Sequence, residues 1–300
     1  MMPEDGAGRQ HVVGRLRLHG DERRRWPTET GREGLDFTIN DESSVAVSGD
    51  WESHGDLVFP LVRRIAREHP SVHTVLHLGD LRWVPALRVG KRRLHLYDGF
   101  IPKLDEELHR TRLRLLLTPG NHDDWSSLQP AFLAHPERPR RLTPQIWALP
   151  RGLRFHIGGR AFLSFGGAVS LDADRGTAEV PTDDDVRRAA AGGSVDVLLA
   201  HEPPNSGIAA VERALDANQR WSADRLDLSA SSRSRIDRLV DQVRPRLAFH
   251  AHMHVGGRVS VGDRTTVALS VIGGHGNTVI LRLASLEVDA LGTAENESDS

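Results

Sequence analysis

Along this 300-residue chain, short apolar runs of strand length keep ending in the same kinds of polar residue. Ser44 to Ser48 (SVAVS) leads into Gly49-Asp50, His73 to Leu78 (HTVLHL) into Gly79-Asp80, and Leu113 to Thr118 (LRLLLT) into Pro119-Gly120-Asn121-His122-Asp123. Val195 to Ala200 (VDVLLA) is followed by His201, and Leu247 to His250 by Ala251-His252-Met253-His254. Brief apolar runs bounded by turn residues read as strands buried on both faces. A packed core has no use for the groups that follow them, because burying an unpaired polar group costs free energy. Carboxylates, an amide and imidazoles gathered at strand ends are how a protein builds a site for two metal ions.

The segments between these runs set the fold class. Leu57, Leu61, Ile65 and Ala66 have helical spacing, predicting a helix over 57–68, and further helices are expected at 98–110, 183–191 and 236–243. After Leu142 the segments shorten, with strands expected at 153–157, 161–165, 195–200 and 247–250. The runs 259–261, 265–272, 278–283 and 286–288 resemble a terminal meander. A parallel first half followed by a more antiparallel second half predicts an α/β protein with two packed mixed β-sheets flanked by helices. The first 40 residues are rich in Arg, Gly and Glu without an apolar period. The expected organisation is therefore a flexible segment 1–40, a single catalytic domain 41–292 and a flexible acidic tail 293–300.

Composition removes several function classes. Cysteine is absent, which excludes disulfides and thiolate zinc sites and leaves His, Asp, Glu and Asn as metal ligands. The formal net charge is −2, so nucleic acid is a possible partner that charge does not indicate. No apolar run approaches the roughly 18 residues of a membrane span, and the N-terminus lacks a secretory pattern. The expectation is a soluble, cytoplasmic protein without a membrane partner, and no heptad seam speaks for an oligomer.

The candidate ligands gain weight from one another. One Gly-Asp after a strand is an ordinary turn, but Asp50 and Asp80 share the same local context. GNHD alone is a turn in which Gly and Asn accept positive φ, yet it adds an amide oxygen at Asn121, an imidazole at His122 and an acceptor at Asp123. His252 and His254 lie two apart on a segment read as extended, so both rings, with that of His250, are expected on one side. His201 alone is a satisfied core histidine; the Glu202-Pro203-Pro204 stretch after it would hold its ring in place.

Taken in order, these blocks resemble the calcineurin-like metallophosphoesterase superfamily, whose pattern is DXH, GD, GNH(D/E), H and GHXH, over about residues 44 to 256. The resemblance implies a four-layer sandwich and a metal-dependent phosphoric ester hydrolase. Its substrate would be a small phosphomonoester or phosphodiester, cleaved by in-line attack of a metal-bridging hydroxide. It also implies that Asp80 bridges two metals, that Asp50, His254 and one more residue complete the first, and that Asn121, His201 and His252 hold the second. His122 would stand beside the leaving group as a catalytic residue, oriented by Asp123. Such ligands suit two divalent or trivalent ions of Mn, Fe, Zn or Co, which at about 3.5 to 4 Å apart clamp a phosphoryl group.

The chain departs from that pattern twice. Where the family has Asp, one residue and His, this sequence reads Asp50-Trp51-Glu52-Ser53-His54. The His54-Gly55 pair favours His54 as the ligand, with Glu52 the alternative. Ala251 stands where the family has Gly, which fits if its backbone is not left-handed. The altered first motif also leaves room for a non-catalytic phosphoesterase-like binding scaffold, and a nuclease or cyclic nucleotide phosphodiesterase could use the same site. Arg82 and Trp83, in the loop after Asp80, could grip a second phosphate or stack a base.

Overall fold

The structure, a computed structural model, describes residues 28–29, 35–89, 92–172, 176–216 and 221–291. The first half contains β1 (Thr28–Glu29), β2 (Leu35–Asp36), β3 (Ser44–Ser48), α1 (Gly55–Glu68), β4 (Val72–His77), β5 (Leu87–Val89) and β6 (Arg92–Leu94). It continues with α2 (Phe100–Thr111), β7 (Arg114–Leu117), α3 (Trp125–Ala134), β8 (Arg140–Arg141) and β9 (Ile146–Ala148). The second half contains β10 (Arg154–Ile157), β11 (Arg160–Phe165), α4 (Asp183–Ala190), β12 (Val197–Ala200), α5 (Ala209–Asp216) and α6 (Ala223–Val243). It ends with β13 (Leu247–His250), β14 (Gly257–Val261), β15 (Arg264–Ala268), β16 (Thr278–Arg282) and β17 (Val288–Ala290).

Two sheets stack face to face because their central strands are apolar on both sides. One has the order β17-β16-β3-β4-β7-β9-β8, the other β1-β2-β10-β11-β12-β13-β15-β14. In β3, Val45 and Val47 enter the core between the sheets, where they join Leu76, Leu116, Leu199 and Phe249, while Ala46 faces the other way. That outer face packs under α1, α2 and α3: in α1 the residues Val58, Val62 and Ile65, spaced as one helical stripe, are fully buried. On the far side, Leu163, Leu198 and Ala248 pack against Val186 of α4 and Ile236, Leu239 and Val243 of α6. The four layers expected from sequence are therefore present, as helices, sheet, sheet and helices.

The second half is less antiparallel than expected. In the eight-stranded sheet β11, β12, β13 and β15 all run parallel, with antiparallel pairing only of β10 with β11, β14 with β15 and short β1 with β2, while β16 pairs antiparallel with β17 and β3 in the other sheet. The expected terminal meander divides between the sheets: β14 and β15 close one edge, while β16 crosses to pair with β3 in the other. Short apolar runs do not encode which sheet they join, and the Ser270 to Asn277 connection makes the change. The boundary at residue 41 also moves. Leu35 and Phe37 are buried in the inter-sheet core, so the packed domain reaches back to β2. The remaining undescribed part of 1–40 and the whole of 293–300 lie outside the described residues.

Candidate metal centre

Every candidate ligand stands at or just beyond the C-terminal end of a strand. Asp50 follows β3, Asp80 follows β4 and the 120–123 turn follows β7, all from one sheet. His201 follows β12 and His252 and His254 follow β13, from the other. The chain must turn sharply to point these side chains at one spot, and it does so through strain. Asp50, Glu52, Ser53, Asp80, Arg82, His252 and His254 all have positive φ, between 48° and 71°. Non-glycine residues rarely adopt this region, and each instance costs about 1 to 3 kcal/mol unless the surroundings impose it. Here they do: Asp50 N–H donates to Gly79 O at 3.0 Å and Glu52 N–H to Asp80 O at 2.9 Å, locking one turn to the next. Trp51 anchors the first turn from the core, its Nε1–H donating to Ser48 Oγ at 2.7 Å.

Three sets of ligand atoms form, each within 4.8 Å of one another: Asp80, His201 and His252; Asp50, Asp80 and His254; and Glu52, Asp80 and His122. Asp80 is common to all three. Asp50 Oδ1 and His252 Nε2 are buried and have no hydrogen-bond partner among the described residues. His201 is held by its Nδ1, 2.6 Å from Leu78 O, so that Nδ1–H donates and Nε2 is left facing inward. There Nε2 meets Asn121 Oδ1 at 2.9 Å and Asp80 Oδ2 at 3.4 Å. A nitrogen lone pair among oxygen lone pairs is repulsive unless a proton or a cation sits between them, and a carbonyl behind the imidazole is the usual outer partner of a metal-bound histidine. This donor set fits a metal cation.

The electrostatics agree with that reading. Burial alone would lower the His201 pKa, but the carboxylates of Asp80 and Asp50 outweigh it and push the imidazole up to about 10. Burial would raise Asp80, yet His201, His122 and His252 hold it well below the ordinary value. Asp50 is raised by burial and by the charges of Asp80 and Glu52, with His201 opposing. His252 falls to about 3 through burial and the neighbouring His201 charge, so it is neutral with a lone pair free for a metal.

A second ring of contacts fixes these ligands. Asn121 Nδ2 donates to Ser170 Oγ at 2.9 Å, and Val169 N–H donates to Glu202 Oε2 at 2.9 Å, so the residue after His201 steadies the loop that orients Asn121. Asn277 Nδ2 donates to Gly49 O and Ser270 O, both at 2.7 Å, which clamps the Asp50 turn. Neither Ser170 nor Asn277 was singled out from the sequence. Ser170 offers no local signal; Asn277 sits in a Gly-rich turn, where its only legible role was the turn itself.

Several expectations change on contact with the structure. His252 and His254 are not on an extended strand: both have left-handed backbones in the turn after β13, and it is this turn that aims them inward. His250, the last residue of β13, is buried and belongs to none of the three sets. Asp123 makes no hydrogen bond to the His122 ring among the described residues. Its Oδ1 accepts from Trp83 N–H and its Oδ2 from Gly120 N–H, at 2.9 and 2.8 Å, so it shapes the turn instead of orienting the imidazole. His54 lines the cleft but is exposed, begins α1 as its N-cap and also belongs to none of the sets, whereas Glu52 does. Ala251 has no positive φ, and its Cβ lies in the space over Gly49, so alanine fits there.

The sequence model of the family described as calcineurin-like phosphoesterase matches residues 43–256. The chain belongs to that family. One solved structure superposes on this phosphoesterase with a TM-score of 0.55 at 15% identity, covering 82% of this chain and 97% of the other, which shows a shared fold. A dimetal phosphatase from Danio rerio gives a TM-score of 0.49 at 12% identity over 80% of this chain and 92% of that one. An archaeal phosphodiesterase gives 0.41 at 13% identity over 82% and 96%. No curated protein matches the sequence significantly.

Proposed function

We propose that this calcineurin-like phosphoesterase is a binuclear metal-dependent hydrolase of small phosphomonoesters or phosphodiesters. The observation that carries the reading is the convergence of three ligand sets on Asp80, with Asp50 Oδ1 and His252 Nε2 buried and without a hydrogen-bond partner among the described residues, as metal ligands would be. Asp50, Asp80 and His254 would hold one metal, and Asp80, Asn121, His201 and His252 the other. Two such ions supply positive charge to the phosphoryl oxygens and a lowered pKa for the attacking water. The chain's own residues then position and exchange protons. His122 is fixed beside the centre by its backbone N–H, which donates to Asp80 Oδ1 at 2.8 Å, and its imidazole would protonate the leaving oxygen. The centre opens into a cleft of about 780 Å³, far larger than a phosphoryl group and bordered by Tyr97, Leu171, Trp221 and Met253, which supports an ester with an organic arm. The modest net charge supports a small ester over a polynucleotide.

The test is metal content per chain in protein purified without chelator, together with hydrolysis of an aryl phosphodiester and an aryl phosphomonoester after Mn addition. Two metals and turnover are expected. Well-folded protein with neither would overturn the reading and favour a binding scaffold.

A further inference from the structure

Resting on the binuclear reading, the first metal still lacks one protein ligand, and two residues compete for the place. We propose that Glu52 fills it and that Arg82 is the positioning residue that holds Glu52 in the metal-facing orientation. The backbone supports Glu52 first. Its left-handed φ of 48° and that of Ser53, 63°, turn the chain back on itself after Trp51, and its N–H is tied to Asp80 O. The result is a carboxylate only 8% exposed that shares a ligand set with Asp80 and His122. His54 is carried past this point by the same turn, its N–H bonded to Trp51 O at 2.9 Å as α1 begins.

The two oxygens of Glu52 are used differently. Oε2 accepts from Arg82 Nε, and Oε1 faces His254, 3.7 Å from its Nε2. One oxygen is therefore fixed from behind while the other is turned to a residue of the first metal, the arrangement by which an outer partner orients a ligating carboxylate. Arg82 reaches this position through its own left-handed φ of 58°, two residues after Asp80, and its guanidinium lies 6.0 Å from the Tyr97 ring centroid. Glu52 adds a third carboxylate to Asp50 and Asp80, and the guanidinium on Glu52 offsets that added charge at its source.

Arg82 also lines the cleft, so the competing role is a grip on substrate phosphate, and metal binding separates the two. Full-length protein stripped with chelator is titrated with Mn²⁺ by calorimetry, and its thermal melting is recorded alongside. Wild type is expected to bind two equivalents. Glu52→Gln and Arg82→Gln should each weaken one equivalent about 10- to 100-fold and leave the other unchanged. Arg82→Lys should recover most of that loss, and the double variant should bind no more weakly than Glu52→Gln alone, because both changes act on one interaction. His54→Ala should bind both equivalents as wild type does. The inference is overturned if His54→Ala loses an equivalent that Glu52→Gln keeps. It is equally overturned if Arg82→Gln binds both metals normally and only raises KM. Should Arg82→Gln fail to fold, Glu52→Gln and Arg82→Lys decide in the same way. A wild type that binds no metal removes the binuclear reading itself, whereas a two-metal wild type with an unaffected Glu52→Gln removes this inference alone.

Discussion

Gly120 shows how little room the centre leaves. A Cβ there would stand 2.2 Å from Asp80 Oδ1 and 2.4 Å from Asp80 N, and the backbone of Asp80 cannot yield without moving the residue common to all three ligand sets. Gly120→Ala is therefore expected to retain the fold, by circular dichroism, yet lose metal stoichiometry and turnover together. A variant with normal metal content would show that Asp80 has more freedom than its contacts allow. His122 tests the opposite separation. Its backbone N–H, which any residue supplies, is what braces Asp80, so His122→Ala should keep both metals and lower kcat by about 10² to 10⁴, the usual worth of a general acid. Loss of metal in that variant would make His122 a ligand instead.

At the scale of elements, the site depends on segments far from the metals. Arg151, half-buried after β9, donates to Gly166 O at 2.7 Å, Glu179 O at 2.8 Å and Asp185 Oδ2 at 2.9 Å, while lying 4.5 Å from the Trp125 ring centroid. It thereby fastens both ends of the 166–179 loop, which carries Ser170 and through it Asn121, to the start of α4. Asp185 is half of this fastening and also closes a capping box with Thr182. Burial would raise its pKa, but Arg151 and the Thr182 contacts hold it below the ordinary value of 3.8. A depressed carboxylate stabilises the fold above its unfolded pKa, and that contribution fades as pH falls through the folded one. Asp185→Asn should thus cost about 1 kcal/mol near pH 7, as for a charge-assisted pair that is only partly buried, with the gap to wild type closing below pH 3.8. Urea unfolding at both pH values measures it, and a gap independent of pH would remove Arg151 pairing as the cause. Such fastenings were not legible in the sequence. β3, β4, β7, β12 and β13 were, because each is a short, mainly apolar run that ends in a polar turn or a histidine. α3 and α5 were not read from the sequence. Arg114 reads as a polar break in LRLLLT, yet it is buried, bonded to Thr74 Oγ1 at 2.9 Å and 3.7 Å from Glu42; its compensation lies 40 residues and more away in sequence.

For the whole molecule, the notable fact is that the ligands come from both sheets. Asp50, Asp80 and Asn121 extend from one and His201, His252 and His254 from the other, so a metal bound among them joins the two layers at one edge. The motif order made the membership of the site readable, but the distribution of strands between sheets depends on crossovers such as that before β16, which local sequence does not encode. A group bound only by the folded state adds its binding free energy to stability, about 2.7 kcal/mol per site at a free concentration 100 times the dissociation constant. For a chain of this size one occupied site should raise Tm by roughly 5 to 10 °C. Chelated wild type is therefore expected to melt lower than the same protein with Mn²⁺ restored, in a calorimetric scan at fixed pH, and the shift should grow with metal concentration. Gly120→Ala supplies the control, since a variant without metal stoichiometry should melt at the same temperature with and without Mn²⁺. If wild type also showed no shift, the two sheets would be joined by packing alone, and the buried carboxylates at their edge would need a partner other than a metal.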